Sequence, residues 1–103
     1  MAKVVTHPGE VLGDELKEIG ISHERLGRDL DVSASTISRI VAGKQSVTAD
    51  MAMRLGHWFG TSPEFWMNLQ AQYDLCIATQ KLGRRIKTRP TRPDTVRPLP
   101  AGE

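Results

Sequence analysis

This sequence of 103 residues has few of the features that mark a secreted, disulfide-bonded or membrane protein. It contains one cysteine, Cys76, so neither an intramolecular disulfide nor a cysteine-based zinc site can form. Its apolar runs all fall well short of the roughly 18 residues that a transmembrane helix requires. Residues 1–8 lack the apolar stretch of a secretory signal. We therefore expect a reduced, cytoplasmic, globular protein that is not inserted in a membrane.

Residue patterns typical of catalysis are also missing. The three histidines, His7, His23 and His57, are far apart in the sequence, and none has the spacing of a metal-ligand set. The sequence has neither a glycine-rich phosphate loop after a strand nor a Ser/His/Asp arrangement on an obvious scaffold. We therefore predict that the protein is not an enzyme and uses no metal or cofactor.

Charge is divided unevenly along the chain. Residues 1–80 carry seven Lys and Arg against ten Asp and Glu, whereas residues 81–103 carry seven basic side chains against two acidic ones. The C-terminal end also holds four of the six prolines and few apolar residues, so burial there cannot offset the entropy lost on ordering. We predict one folded domain over residues 1–82 and a disordered basic tail over residues 83–103. The tail is an inert linker, a basic arm that adds phosphate affinity, or a segment that folds on a partner.

The rest of the chain has the periodicity of short helices. Apolar residues recur every three or four positions between start and stop signals, and no run of alternating β-branched residues indicates a sheet. Side chains that favour helix N-caps precede four of the segments: Ser22, Ser33, Thr48 and Ser62. Pro8 begins the first helix, and the fifth is predicted to end near Lys81. The sequence therefore predicts an all-α fold of five helices.

The second and third predicted helices are joined by only three residues, Asp31, Val32 and Ser33. Asp31 lies where the turn is expected to need a left-handed backbone, which Asp adopts more readily than most residues. Val32 can then fill the core between the two helices. Two short helices around such a tight turn form the helix-turn-helix pattern.

The third predicted helix has two different sides. Its apolar residues fall on one side, at positions 37, 40 and 41, and the other side carries Ala34, Ser35, Ser38 and Arg39. No acidic residue occurs between Val32 and Ala49. Such a side can approach base edges in the major groove without repelling phosphate, although the same composition also occurs on ordinary solvated helices. The helix-turn-helix spacing and the missing acids favour DNA binding.

The helix-turn-helix resembles that of the Cro/phage-repressor-like (XRE) family in the segment Leu26-x3-Leu30-Asp31-Val32-Ser33-x2-Thr36-Ile37-Ser38-x-Ile40-x2-Gly43-Lys44. Other motifs are similar to those of HigA-type antitoxins: His7-Pro8-Gly9-Glu10, Thr48, Pro63-Glu64-Phe65-Trp66, Leu69-Gln70 and Tyr73-Asp74-Leu75. Together they span residues 7–78. Gly27 stands where the family usually has Ala, and Asp31 where Gly is commonest. These departures are expected to loosen the second helix and to strain the turn slightly.

The resemblance implies a Cro/lambda-repressor-like DNA-binding domain that acts as a homodimer. It also implies an antitoxin that represses its own operon through double-stranded operator DNA and neutralises a ribonuclease toxin of the HigB kind. Carried over by position, the family's base-reading residues are Ala34, Ser35 and Arg39, of which Arg39 is the main candidate, with Ser38 on the same face. The phosphate-contacting positions are His23, Ser33, Thr36, Lys44 and Ser46.

One helix-turn-helix reads only a few base pairs, so tight specific binding usually needs two copies. The two copies must then meet at a dimer interface. The fifth predicted helix is apolar on more than one side. Packing against the chain's own core would cover only one of these sides. We predict that the dimer interface uses the residues that repeat at helical spacing: Trp66, Leu69, Tyr73, Cys76 and Ile77. The alternative is that this stripe belongs entirely to the chain's own core. Cys76 is expected to be a buried core thiol.

The first predicted helix carries Glu10, Asp14 and Glu18 at four-residue steps. Like charges at this spacing slightly destabilise a helix, and they should not face phosphate. They form either an ordinary solvated surface or a docking surface for a toxin with a cationic RNA site.

Two other functions remain open from the sequence. The protein could be a stand-alone helix-turn-helix transcriptional regulator without a toxin. It could also be a protein-interaction module that no longer binds DNA, because residues 1–80 are net acidic. A short basic toxin gene beside this one would favour the antitoxin.

Overall fold

The computed structural model describes residues 5–93. These residues form five helices: α1 (Pro8–Ile19), α2 (His23–Leu30), α3 (Ala34–Val41), α4 (Ala49–Phe59) and α5 (Pro63–Lys87). No strand occurs within this range, so the predicted all-α fold is confirmed. Over the same range, no helix combines the length and the apolar composition needed to cross a membrane. The part of the predicted tail over residues 94–103 lies outside the described residues.

The helices begin where the capping side chains predict. The caps of α2 to α5 have extended backbones and accept a hydrogen bond from the N–H three residues later: Ser22, Ser33, Thr48 and Ser62. The cap of α1 was not predicted as one. There, Nδ1 of His7 accepts a hydrogen bond from the N–H of Gly9 at 2.8 Å. All five caps provide partners for N–H groups that the first turn of a helix leaves unpaired.

The turn between α2 and α3 has the predicted backbone. Asp31 has φ 61° and ψ 45°, in the left-handed region, and Val32 packs against the core. The N–H of Val32 donates to the carbonyl oxygen of Gly27 at 2.9 Å. A Cβ on Gly27 would lie only 2.8 Å from the carbonyl oxygen of Val32. Gly27 therefore lets the turn pack directly against α2.

α5 is longer than predicted. It runs to Lys87 instead of ending near Lys81, so the boundary expected at residue 82 falls inside a helix. Gly83 was taken to belong to the tail, but a single glycine costs a helix only about 1 kcal/mol. The basic residues that follow it are favourable near the negative end of the helix dipole.

The core lies where the helices meet. Its buried members are aliphatic residues, one alanine, one methionine and one tryptophan: Leu12, Leu16, Leu26, Leu30, Ile37, Ile40, Val47, Met51, Ala52, Leu55 and Trp66. α2 packs on α3 and α4, and α1 packs on α3 and α5. Arg54 of α4 donates from Nη1 to the carbonyl oxygen of Leu30 at 2.6 Å, at the end of α2. The helix-turn-helix is thus fixed from both sides by the other helices.

Candidate nucleic-acid interface

α3 lies with its apolar side in the core and its polar side in solvent. Ile37 and Ile40 are fully buried, at 0 % exposure. Three of the four predicted residues on the opposite side are exposed: Ser35, Ser38 and Arg39. The fourth, Ala34, is half-buried in the first turn. Within residues 5–93, no other part of the chain covers the side of α3 that is predicted to face DNA.

Three hydroxyl side chains gather where α3 begins. Oγ of Ser33 accepts a hydrogen bond from the N–H of Thr36 at 3.1 Å. The same oxygen lies 2.9 Å from Oγ1 of Thr36 and 3.1 Å from Oγ of Ser35. Hydroxyl groups and N–H groups at a helix N-terminus bind phosphate oxygens without reading sequence. This cluster can therefore hold α3 against a DNA backbone.

His23 reaches this surface from α2. Its Nδ1 lies 2.8 Å from Oγ of Ser38, fifteen positions along the chain. The contact joins the first turn of α2 to the exposed side of α3. It therefore places a predicted phosphate-contacting residue beside the predicted base-reading residues.

Arg39 has a partner that the sequence did not predict. Its Nε donates a hydrogen bond to Oε1 of Gln45 at 2.7 Å. Gln45 is half-buried in the segment between α3 and α4, and its neighbours Lys44 and Ser46 are exposed. No helical period links positions 39 and 45, so only the path of the chain after α3 reveals this pair.

Two carboxylates on the neighbouring helices, Asp29 and Asp50, have hydrogen-bond donors beside them. Asp29 of α2 accepts a hydrogen bond from Nε1 of Trp58 at 3.0 Å, and it also pairs with Arg25. Both contacts, that of Trp58 foremost, hold the pKa of Asp29 below its usual value. Asp50 of α4 pairs with Arg54, which lowers the pKa of Asp50 in the same way. Each carboxylate therefore has a donor beside it that partly offsets its repulsion of phosphate.

The predicted dimer stripe is only partly available on α5. Trp66 is 1 % exposed and packs in the chain's own core, so its assignment to a dimer interface is wrong. The other members are half-buried: Leu69, Tyr73, Cys76 and Ile77. Because Cys76 is only half-buried, the expectation that it is a buried core thiol is also wrong.

A different apolar stripe on α5 is well exposed. Leu75, Leu82 and Ile86 are 68 %, 40 % and 60 % exposed. Their spacing of seven and four residues places them on one side of the helix, opposite Trp66. The sequence did not predict Ile86 as part of this stripe, because residues 83–103 were predicted to be a disordered tail. We call these three residues the outer stripe.

The three acidic residues singled out on α1, Glu10, Asp14 and Glu18, are all exposed. Beside this helix, a cleft is lined by four apolar or aromatic residues and two polar ones: Val11, Phe59, Phe65, Trp66, Glu15 and Thr61. Within residues 5–93, no group of three or more His, Cys, Asp or Glu side chains is placed to hold a metal ion.

Comparisons with known proteins show which family the chain belongs to. A family model described as helix-turn-helix matches residues 12–66. Virulence-associated protein I of Dichelobacter nodosus is 45 % identical over 75 residues, which cover 72 % of this chain and 69 % of that protein.

Solved structures are similar over most of the chain. An addiction module antidote protein of the HigA family from Coxiella burnetii has a TM-score of 0.83 at 40 % identity, covering 87 % of this chain and 99 % of that one. Pseudomonas aeruginosa antitoxin HigA, solved with the higBA promoter, has a TM-score of 0.79 at 44 % identity, covering 93 % and 99 %.

The fold and the exposed side of α3 define a helix-turn-helix protein of the Cro/phage-repressor (XRE) type. The chain belongs to the helix-turn-helix family, and its structural neighbours include HigA-family antitoxins. The resemblance inferred from the motifs is confirmed at this level.

Proposed function

We propose that this chain is an antitoxin that binds operator DNA as a homodimer and represses its own operon. The observation that carries the proposal is the exposed, acid-free side of α3, from which Arg39 extends. Similarity to an antitoxin solved with its promoter supports it. No catalytic step is required of the chain in this function.

Base reading falls to α3. Arg39 is the long cation on its exposed side, and a bidentate Arg–guanine contact discriminates against other bases by about 1–3 kcal/mol. Ser35 can donate or accept at a base edge, and Ala34 offers a methyl contact. Phosphate contacts come from the residues around this side: His23, Ser33, Thr36, Lys44 and Ser46. These contacts fix the register of α3 but carry no sequence information.

A second copy of the chain supplies the second reading helix. Two such helices bind half-sites about 34 Å apart, one turn of DNA. The outer stripe of α5 supports this partner, because Leu82 and Ile86 extend past the core with their apolar side chains in solvent. Burying this stripe against its own copy would remove apolar surface from water.

The toxin partner is proposed to be a ribonuclease of the HigB kind that docks on α1. The acidic row of Glu10, Asp14 and Glu18 offers charge complementary to a cationic RNA site. The adjoining cleft adds apolar surface, because Phe65, which lines it, is 41 % exposed.

DNA binding is tested with a duplex from the region upstream of the chain's own gene. Arg39→Ala should lose specific binding and leave the helical circular dichroism unchanged. Lys44→Ala should weaken binding to all sequences and reduce the salt slope by about one. An unaltered footprint in Arg39→Ala would contradict the assignment of this residue.

Toxin binding is tested by co-expressing the adjacent gene and titrating the purified complex. Reversing all three acidic residues of the row to Lys should weaken the complex, whereas Glu24→Lys, an exposed reversal on α2, should not. Unchanged affinity in the triple variant would reject the docking surface. If no neighbouring gene product co-purifies while operator binding persists, the chain is a stand-alone transcriptional regulator.

A further inference from the structure

We propose that Gln45 is a positioning residue for base recognition. Its side-chain oxygen holds the guanidinium of Arg39, leaving the terminal N–H groups of that guanidinium to contact a guanine. The inference deepens the proposed function and rests on it, because it concerns the residue assigned to base reading.

The argument begins with the geometry of the guanidinium. This group is planar and carries five N–H donors in a fixed arrangement. Nε of Arg39 donates to Oε1 of Gln45 at 2.7 Å, and within residues 5–93 Arg39 has no other side-chain hydrogen bond or ion pair. With the Nε–H occupied, the donors that remain belong to the two Nη groups. A pair of N–H groups from these can meet O6 and N7 of one guanine.

Gln45 is itself held in place by the backbone on one side. Gly43, with φ 75°, turns the chain back after α3 and donates its N–H to the carbonyl oxygen of Ile40 at 2.9 Å. The N–H of Lys44 donates to the carbonyl oxygen of Arg39 at 2.9 Å. Lys44, which precedes Gln45, is thus hydrogen-bonded to the backbone of Arg39.

The other side of the segment is anchored to α5. Val47 is 2 % exposed, and its N–H donates to Oε1 of Gln70 at 2.7 Å. Gln70 is 5 % exposed and donates from Nε2 to Asp74 at 2.9 Å. Gln45 therefore lies on a short segment whose backbone is hydrogen-bonded on both sides of it, which places its side chain beside Arg39.

Holding the Arg39 side chain in place before binding reduces the entropy that it loses on contacting a base. A freely rotating Arg loses side-chain entropy when it is fixed on a base, whereas an Arg already held in its binding geometry loses less. Occupying Nε also prevents Arg39 from approaching a base through the edge that contains this nitrogen. Gln45 should therefore sharpen discrimination at one guanine while contributing less to overall affinity.

The test uses the full 103-residue chain and the consensus duplex that it selects from a randomised pool. Each guanine of the consensus is then replaced singly, and binding is measured for the wild type, Arg39→Ala, Gln45→Met and the double variant. Methionine has the length of glutamine but no strong acceptor. Gln45→Glu is the conservative variant, since it keeps the acceptor oxygen and adds a negative charge.

Arg39→Ala should abolish about 5- to 150-fold discrimination at one guanine. Gln45→Met should lose about three- to tenfold at that same guanine and nothing further when Arg39 is already Ala. Gln45→Glu should bind all duplexes more weakly but retain the discrimination. In the free protein, the Nε–H of Arg39 should exchange with solvent faster in Gln45→Met than in the wild type.

Each failure has its own signature. If Arg39→Ala leaves discrimination intact, the proposed base-reading role of Arg39 fails. If Arg39→Ala loses discrimination but Gln45→Met does not, the positioning role fails while the proposed function stands. If Gln45→Met loses discrimination at a different base pair, and additively with Arg39→Ala, then Gln45 reads its own base and the inference is overturned.

Discussion

The backbone of Gly9, in the first turn of α1, lies against the carbonyl group of Ile40, in the last turn of α3. A Cβ on Gly9 would be 1.7 Å from the carbonyl oxygen of Ile40. No L side chain fits at this distance, so the absence of a side chain on Gly9 sets how closely α1 can pack on α3.

Gly9→Ala is expected to destabilise the fold by about 3 kcal/mol, because the added methyl group must push two helix backbones apart. Urea unfolding measures the change. The matched control is Gly83→Ala on α5, where the nearest atom would be Thr79 Cγ2 at 3.5 Å. That variant should stabilise the helix by about 0.5–1 kcal/mol, because alanine has the higher helix propensity. Equal effects of the two variants would contradict the close packing of α1 on α3.

His7 should make the stability of the fold depend on pH. It is buried, its Nδ1 caps α1, and its ring meets the ring of Tyr73 edge-on with centroids 4.8 Å apart. Burial lowers the pKa of His7, and this effect exceeds that of the Asp74 and Glu10 charges, which raise the pKa. The unfolded chain then binds a proton more readily than the folded one. The contribution of neutral His7 to the free energy of unfolding is therefore fully present above about pH 6.5 and is lost as the pH is lowered.

The measurement is the free energy of unfolding as a function of pH. His7→Asn keeps a capping oxygen but cannot titrate, so its stability should change less between about pH 7 and pH 5. His57→Asn makes the same substitution at an exposed position and serves as the control for replacing a histidine. An unchanged slope in His7→Asn would show that other groups cause the acid sensitivity.

The sequence predicted the helix starts because capping is a local property. Ser22, Ser33, Thr48 and Ser62 each bond to an N–H only three residues away, and the composition of a short segment is enough to identify them. The left-handed Asp31 followed from the length of the turn. The exposed side of α3 followed from its helical period.

The pairs that complete the site could not be predicted in this way. Arg39 meets Gln45 across an irregular segment, and Val47 meets Gln70 across 23 positions. Such contacts depend on how α3, α4 and α5 are placed, which no local pattern encodes. Trp66 was misplaced for a related reason, since periodicity identifies an apolar side of a helix but not what covers it.

Gln70→Leu is expected to destabilise the fold by about 1–3 kcal/mol, because it leaves the buried N–H of Val47 without its partner. The lost hydrogen bond is 2.7 Å long and joins α5 to the segment that carries Gln45. Gln72→Leu, at an exposed position on the same helix, provides the comparison and should change stability little. Denaturant midpoints of the two variants that differ by less than the measurement error would refute a structural role for this hydrogen bond.

Leu82→Glu is expected to convert the proposed dimer to a monomer, because it places a charge in the outer stripe that a second copy would bury. Leu82 is 40 % exposed and lies on the same side of α5 as Leu75 and Ile86, so the substitution should leave the chain's own core and its helical circular dichroism intact. Sedimentation equilibrium should give half the wild-type mass, and binding to a duplex with two half-sites should weaken. Gln80→Glu adds the same charge at another exposed position of α5 and should remain dimeric. If Cys76→Asp dissociates the protein while Leu82→Glu does not, the interface uses the half-buried side of α5 instead.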